Sequence, residues 1–269
     1  MKVFAFSDLH GDKILFNKMK EYMDNCGDEY TCFVIGDVCD RGEDGYELMK
    51  TILNLADKGN FIYLMGNHED MFVSSCLEYI NECQQEGYSP FEMAKAINFD
   101  ISMIPCGESV YAYIQNGGTP TITAWMKDGC PFNILGKLRQ LSIAEVLQII
   151  KPDGTEITYD ICHSGCNSFE FDHCDNNIFR LLWNREHFLS GCKYRKKQDN
   201  HILLHGHTPV QYLRKYLTYE DLINVNKKRA MPIKYAHNTK IDLDVGTYDT
   251  KVIFLYDIGE DTFIPFYNL

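Results

Sequence analysis

The sequence predicts an α/β fold with two packed β-sheets and helices outside them. Three observations carry that expectation. First, apolar runs over 3–7, 31–35 and 61–65 read as buried parallel strands separated by amphipathic helical patterns. Second, each run ends in a short polar string: Asp8-Leu9-His10-Gly11, Gly36-Asp37-Val38-Cys39-Asp40-Arg41-Gly42 and Gly66-Asn67-His68-Glu69. Third, after a helical middle the chain returns to strands over 157–162, 201–204, 240–245, 251–256 and 262–267. These carry β-branched or aromatic residues between turn signals.

The elements follow in order. Asp12 can cap the first helix, whose apolar face is Ile14, Leu15, Met19, Tyr22 and Met23, with Gly27 as its stop. Tyr46, Leu48, Met49, Ile52, Leu53 and Ala56 mark the second helix, which ends near Gly59. Residues 71–86 read as a third. Ser142-Ile143-Ala144-Glu145 has the form of a capping box opening another helix, with Val146, Leu147, Ile149 and Ile150 on its buried side. Pro152-Asp153-Gly154 is a turn. No composition break or linker isolates the middle. It is read as a helical insertion at about 71–151, packed beside the site within one domain over 1–269.

Composition excludes several classes. At 269 residues the chain can bury a full core, and 45% hydrophobic with 24% charged residues is ordinary for a soluble globular protein. No apolar stretch is long enough to span a bilayer, and Lys2-Val3-Phe4-Ala5-Phe6 runs into Ser7-Asp8 without a signal-peptide pattern. A cytoplasmic location and no membrane partner are therefore expected. The eleven cysteines are odd in number and follow no secretory signal, so reduced thiols are expected. Cys162, His163, Cys166, His173 and Cys174 could be read as a zinc site, but there is no paired C-x-x-C knuckle, and neighbours on a strand point to opposite faces. The net charge of −12 argues against nucleic acid as a partner. The basic clusters at Lys193, Arg195, Lys196, Lys197 and at Lys227, Lys228, Arg229 read as solvated loops.

The polar strings sit where open α/β sheets build their sites, at the carboxyl ends of neighbouring strands. A D-x-H on its own is usually a polar turn after a strand. Asp37 alone could cap a loop, and Asn67 could merely occupy a left-handed turn. Their joint occurrence after successive strands points instead to metal ligation. Two divalent cations about 3.5–4 Å apart neutralise a phosphate, orient it and acidify a water. Asp8 and His10 can approach one cation together, and Asp37 is the natural bridge because a carboxylate has two oxygens. Asn67 offers an amide oxygen. His163 in Cys162-His163-Ser164-Gly165 and His207 in Gly206-His207-Thr208-Pro209 complete the set.

These strings resemble the phosphoprotein phosphatase branch of the calcineurin-like metallophosphoesterases, with its lambda-type protein phosphatases. Asn116-Gly117-Gly118-Thr119, Trp183-Asn184-Arg185-Glu186 and Ile241-Asp242-Leu243-Asp244-Val245-Gly246 add to the likeness, which spans roughly residues 2–256. The resemblance implies a four-layer α/β/β/α sandwich with two mixed sheets. It implies a first metal on Asp8, His10 and Asp37, and a second on Asp37, Asn67, His163 and His207. Arg41 and Arg185 would clamp the phosphate, although Arg185 without the family would read as a surface charge. His68 would protonate the leaving oxygen, held by Asp40; its plainer reading is a histidine hydrogen-bonded for structure. His173, His187, His201, His205 and His237 are read as structural. Cys39 departs from the branch, which carries an aliphatic residue there; a buried cysteine packs as a small hydrophobe.

The resemblance favours a protein serine/threonine phosphatase using two divalent ions, with manganese ahead of iron, zinc or magnesium. Its partner would be a phosphoprotein or a small phosphorylated substrate. A dinucleoside polyphosphate hydrolase shares the same motifs, and wall residues between about Ser74 and Asn133 should decide between them. An inactive phosphate-binding regulator is disfavoured because all the expected ligands and both arginines are present. An RNA-end repair component is disfavoured by the acidic balance.

Overall fold

The computed structural model describes residues 1–27, 29–103, 107–151, 153–166, 178–186, 200–213 and 230–268. Its opening alternates strand and helix: β1 (Lys2–Phe6), α1 (Lys13–Asp24), β2 (Tyr30–Ile35), α2 (Gly45–Ala56), β3 (Phe61–Leu64) and α3 (Asn67–Gln85). Asp12 caps α1 as expected, its carboxylate accepting from the Leu15 N–H at 3.0 Å. Leu15, Phe16, Met19 and Met23 form the buried face, whereas Ile14 and Tyr22 are exposed. α3 begins earlier than its apolar pattern suggests. Its first turn is polar yet buried, because Asn67, His68 and Glu69 serve the site rather than the core.

Short helices follow: α4 (Pro90–Ala96), α5 (Glu108–Gln115), α6 (Thr119–Lys127) and α7 (Phe132–Leu138). The helix expected from Ser142 is instead β4 (Ala144–Ile150), paired antiparallel with β5 (Glu156–Cys162). Period two wins over the capping-box pattern. Glu145, Leu147 and Ile149 are half-buried while Val146, Gln148 and Ile150 face solvent, and the β-branched residues suit that pleated edge. The helical run of the insertion therefore stops before this strand.

α8 (Ile178–Trp183), β6 (His201–His205), α9 (Val210–Leu213), β7 (Ile233–Tyr235), β8 (Lys240–Asp242), α10 (Thr247–Thr250), β9 (Val252–Asp257) and β10 (Thr262–Tyr267) complete the described elements. Strand β7 lacks a counterpart in the expected set. One sheet has the order β10-β9-β1-β2-β3 and the other β4-β5-β6-β8-β7. Both are mixed: β1, β2 and β3 run parallel, as do β5, β6 and β8, while β9, β10, β4 and β7 pair antiparallel.

Strand periodicity sorts the core. Phe4, Phe6, Cys32, Val34, Phe61 and Tyr63 pack towards the helices with Leu15, Met49, Ile52 and Phe72. Their neighbours Ala5, Phe33, Ile35 and Leu64 pack between the sheets against Tyr159, Ile161, Leu204, Ile241 and Tyr256. On the far side of the second sheet, Cys162 and Leu203 pack with Cys166 and Leu181. The layers are thus helices, sheet, sheet and helix. Parallel β1, β2, β3, β5 and β6 all deliver their carboxyl ends to one edge. Among the described residues, no helix is long and apolar enough to cross a membrane.

Candidate metal centre

The loops leaving β1 and β2 are stitched together by their backbones. The N–H groups of Asp8, His10 and Gly11 donate to the carbonyls of Gly36, Asp37 and Val38 at 3.2, 3.0 and 2.8 Å. Such close contact leaves no room for a side chain at Gly36, where φ is +75° and a methyl would strike Gly66 and His163. Asp8, His10, Asp37, Asp40, Arg41 and His207 all adopt left-handed backbone, with φ of 54°, 46°, 53°, 69°, 65° and 71°. Each such residue costs on the order of 1–3 kcal/mol, and strain concentrated like this is typical of functional sites.

These loops, the start of α3 and the segments after β5, α8 and β6 bring the expected site residues together. Two buried clusters form, His10 with Asp37 and His68, and Asp37 with His163 and His207. Asp37 belongs to both. Its Oδ1 lies 3.2 Å from His163 Nε2, and its Oδ2 lies 3.9 Å from His10 Nε2 and 3.8 Å from His68 Nε2. Asn67 Oδ1 sits 2.9 Å from both His163 Nε2 and His207 Nδ1. The first cluster differs from expectation in one respect: His68, rather than Asp8, stands beside His10 and Asp37.

Asp8 is nevertheless built into the same loops. Its Oδ2 accepts from Ser7 Oγ and, at 3.0 Å, from the His207 N–H, while its Oδ1 is buried with no hydrogen-bond partner. A buried carboxylate oxygen without a donor is costly, and a cation would satisfy it. The histidines are prepared in the same sense. His10 Nδ1 and His163 Nδ1 face the carbonyls of Cys39 and Ile35 at 3.1 and 2.8 Å, which turns each Nε2 inward. Burial, with the charges of His68 and Arg41, holds His10 well below its usual pKa; burial and His163 do the same for His207. Both imidazoles are then neutral, the form that binds metal. For Asp37, burial opposes ionisation, but the charges of His163 and His68 outweigh it and hold the carboxylate ionised. This donor set of carboxylate, imidazole and amide fits a pair of divalent cations.

The remaining predicted residues rim the centre. His68 Nδ1 meets Asp40 Oδ2 at 2.7 Å, and its Nε2 lies 3.4 Å from an Arg41 guanidinium nitrogen. Burial is the strongest influence on His68 and disfavours its charge, yet Asp37 and Asp40 together raise its pKa above the usual value. Arg185 donates from Nε to His207 Nε2 at 3.2 Å, so the two arginines stand on opposite clusters.

Four contributors escaped the sequence reading. Ser7 fixes Asp8, and Thr121 Oγ1 accepts the Asp40 N–H at 3.0 Å. Glu69 is fully buried and accepts the N–H groups of Asp37, Val38 and Gly66 at 2.8, 2.8 and 3.0 Å. Tyr113 donates its hydroxyl to Asp40 Oδ1. Glu69 closes the quoted Gly-Asn-His-Glu string and could have been found from it; Tyr113 reaches the site only through folding.

The other sequence expectations resolve simply. The described cysteines are free thiols, and Cys162 and His163 point to different surroundings, so they do not form a joint zinc site. His173, Cys174, His187 and both basic clusters lie outside the described residues. His205 is neutral, its pKa pushed down to about 3 by burial, and its Nε2 meets the Tyr235 hydroxyl at 2.8 Å. Burial first, and then the charges of Asp40 and Glu69, push the Cys39 thiol well above its usual pKa, so it is no reactive thiolate.

Known proteins bear on this arrangement. The family model for calcineurin-like phosphoesterases matches residues 1–243. No curated protein matches the sequence. Among solved structures, a candidate diadenosine tetraphosphatase superposes with a TM-score of 0.55 at 12% identity, covering 100% of this chain and 94% of that one. A serine/threonine phosphatase from Saccharomyces cerevisiae gives 0.51 at 14% identity, covering 100% and 80%. A variant of a cold-active protein tyrosine phosphatase gives 0.51 at 15% identity, covering 98% and 80%. At such identities the likeness is one of fold.

Proposed function

We propose that this chain, which belongs to the calcineurin-like phosphoesterase family, is a protein serine/threonine phosphatase that hydrolyses phosphomonoesters at a two-metal centre. The observation that carries the reading is Asp37, a buried carboxylate shared by two His/Asp clusters, each with an arginine on one of its histidines. Asp8, His10 and Asp37 would hold one divalent ion, and Asp37, Asn67, His163 and His207 the other, with manganese the proposed metal. When bound, the pair supplies charge neutralisation of the phosphate and acidification of a water.

The chain's own groups do the rest. The planar guanidinium forks of Arg41 and Arg185 bond phosphate oxygens and hold the ester in line. His68 would give the departing oxygen a proton from Nε2, with Asp40 meeting its other nitrogen at 2.7 Å. A serine or threonine alkoxide is a poor leaving group, so an acid whose pKa Asp37 and Asp40 raise favours alkyl phosphomonoesters.

One observation favours a second reading, a dinucleoside polyphosphate hydrolase. Beside His10 lies a cavity of about 150 Å³ whose walls include Lys13, Lys251 and Tyr248. Its two lysines and ring would suit a longer polyphosphate ligand, against the carboxylates of Asp12 and Asp44 in the same walls. A substrate panel on manganese-loaded protein separates the readings: a phosphoserine peptide, a phosphotyrosine peptide, diadenosine tetraphosphate and a cyclic nucleotide. The phosphoserine peptide should give the highest kcat/KM. Preference for diadenosine tetraphosphate would establish the second reading.

A further inference from the structure

The Asn116-Gly117-Gly118-Thr119 string has no ligand-type side chain at a strand end, yet it packs onto the loop that carries Asp40 and Arg41. The Gly117 carbonyl accepts the Arg41 N–H at 2.9 Å. Two residues past the string, Thr121 Oγ1 accepts the Asp40 N–H at 3.0 Å. Both donating residues, Asp40 and Arg41, are in left-handed backbone, with φ of 69° and 65°. That conformation persists only where neighbours over-determine it.

The reason for the second glycine of the pair lies in Tyr113, near the end of α5. A methyl on Gly118 would collide with the Tyr113 ring, so only glycine lets the ring sit there. The ring is fully buried and packs against Phe72 with centroids 6.2 Å apart. Its hydroxyl donates to Asp40 Oδ1, while Asp40 Oδ2 meets His68 Nδ1 at 2.7 Å. Asp40 is itself fully buried, so its orientation is set by these two partners and its own N–H.

We propose that Tyr113 is a positioning residue. Its hydroxyl occupies one Asp40 oxygen and turns the other onto His68 Nδ1, which aims His68 Nε2 at the phosphate site beside Arg41. The helical insertion is thereby coupled to the reacting centre through a hydroxyl, a carboxylate and an imidazole. Burial first, and then the Asp40 charge, hold the phenol far above its usual pKa, so Tyr113 remains a donor. The inference rests on the reading of His68 as the proton donor only for its kinetic consequence, not for the coupling.

The test is Tyr113→Phe, which keeps the ring in its Gly118 niche and removes one oxygen. Losing a hydrogen bond to a charged group should lower kcat on a phosphoserine peptide by about ten- to a hundredfold. KM and bound metal should stay near wild type. Added to His68→Asn, the same change should cost less than about twofold more. The His68 Nδ1–H resonance, seen by nitrogen-15 correlation spectroscopy, should shift or broaden in Tyr113→Phe, and this readout needs no turnover. Unchanged kcat with an unchanged resonance, or an equal loss in the His68→Asn background, would overturn the proposal. The reading of His68 fails separately: His68→Asn would then lose as much activity on an aryl phosphate with an acidic phenol as on the serine ester.

Discussion

Replacing Glu69 by glutamine tests how the metal loop is held. The side chain is fully buried, and its carboxylate gathers five donors. Oε2 accepts the N–H groups of Asp37 at 2.8 Å and Gly66 at 3.0 Å. Oε1 accepts those of Val38 at 2.8 Å and Cys39 at 3.3 Å, together with the Tyr63 hydroxyl at 2.9 Å. Glutamine has the same shape but must present an NH2 group to one of these sets, so at least two donors face another donor. Two hydrogen bonds to a charged group are worth about 3–6 kcal/mol together. Part of that returns, because burial and Asp37 raise the Glu69 pKa and neutralising the group relieves both. A net loss of roughly 2–4 kcal/mol remains. In a chain of this size that corresponds to a fall in Tm of about 5–15 °C. Thermal unfolding followed by circular dichroism measures it, with metal content on the same samples. The Asp37 and Gly66 amides would no longer be pinned, so metal should bind more weakly as well. A Glu69→Gln protein that melts within about 1 °C of wild type and keeps its metal would refute the reasoning.

Other outcomes follow from the same geometry. Asp37→Asn should empty both metal positions, whereas Asp8→Asn should weaken mainly one; two tightly held ions in purified Asp37→Asn would remove Asp37 as the bridge. Arg41→Ala and Arg185→Ala should each lower kcat/KM by about a hundredfold, weaken inhibition by free phosphate and leave metal content intact. Unchanged kinetics would take that arginine out of the phosphate site. In metal-free protein, burial disfavours a charged His163, but Asp37 and Asp8 push its pKa up to about 10. It is then protonated at pH 7.5, and a metal must displace that proton. Loading should release protons, read by calorimetry in buffers of different ionisation enthalpy, and loading should weaken as pH falls. Uptake of metal without proton release would show that His163 is not a ligand.

The fold class and the strand ends that carry the candidate residues were legible in the sequence, whereas the individual elements between them were less so. Asp8, Asp37, Asn67, His163 and His207 were legible because each ends an apolar run, and a strand's period fixes where the next residue goes. The helix wrongly expected at Ser142 shows the limit of local signals. A capping-box pattern before Val146, Leu147 and Ile149 fits a helix, until pairing with β5 selects the other period. Strand β7 is only Ile233–Tyr235, too short for periodicity to register. Asp40 and His68 were paired on the family pattern, and their partner Tyr113 is invisible locally because it joins them from a residue 73 positions after Asp40. Ser7 and Glu69 lay inside or beside the quoted strings, but their roles depend on backbone N–H groups that carry no sequence signature.

Metal stoichiometry measured alongside turnover tests the two-metal centre most directly. Protein stripped with a chelator and verified metal-free would be titrated with manganese, following bound ions per chain and hydrolysis of an aryl phosphate in the same samples. The expected result is no hydrolysis at the start, activity that rises with loading, and saturation at two ions per chain. Full hydrolysis by the verified metal-free protein would contradict a metal-dependent mechanism, and full activity at a single bound ion would contradict the shared role of Asp37.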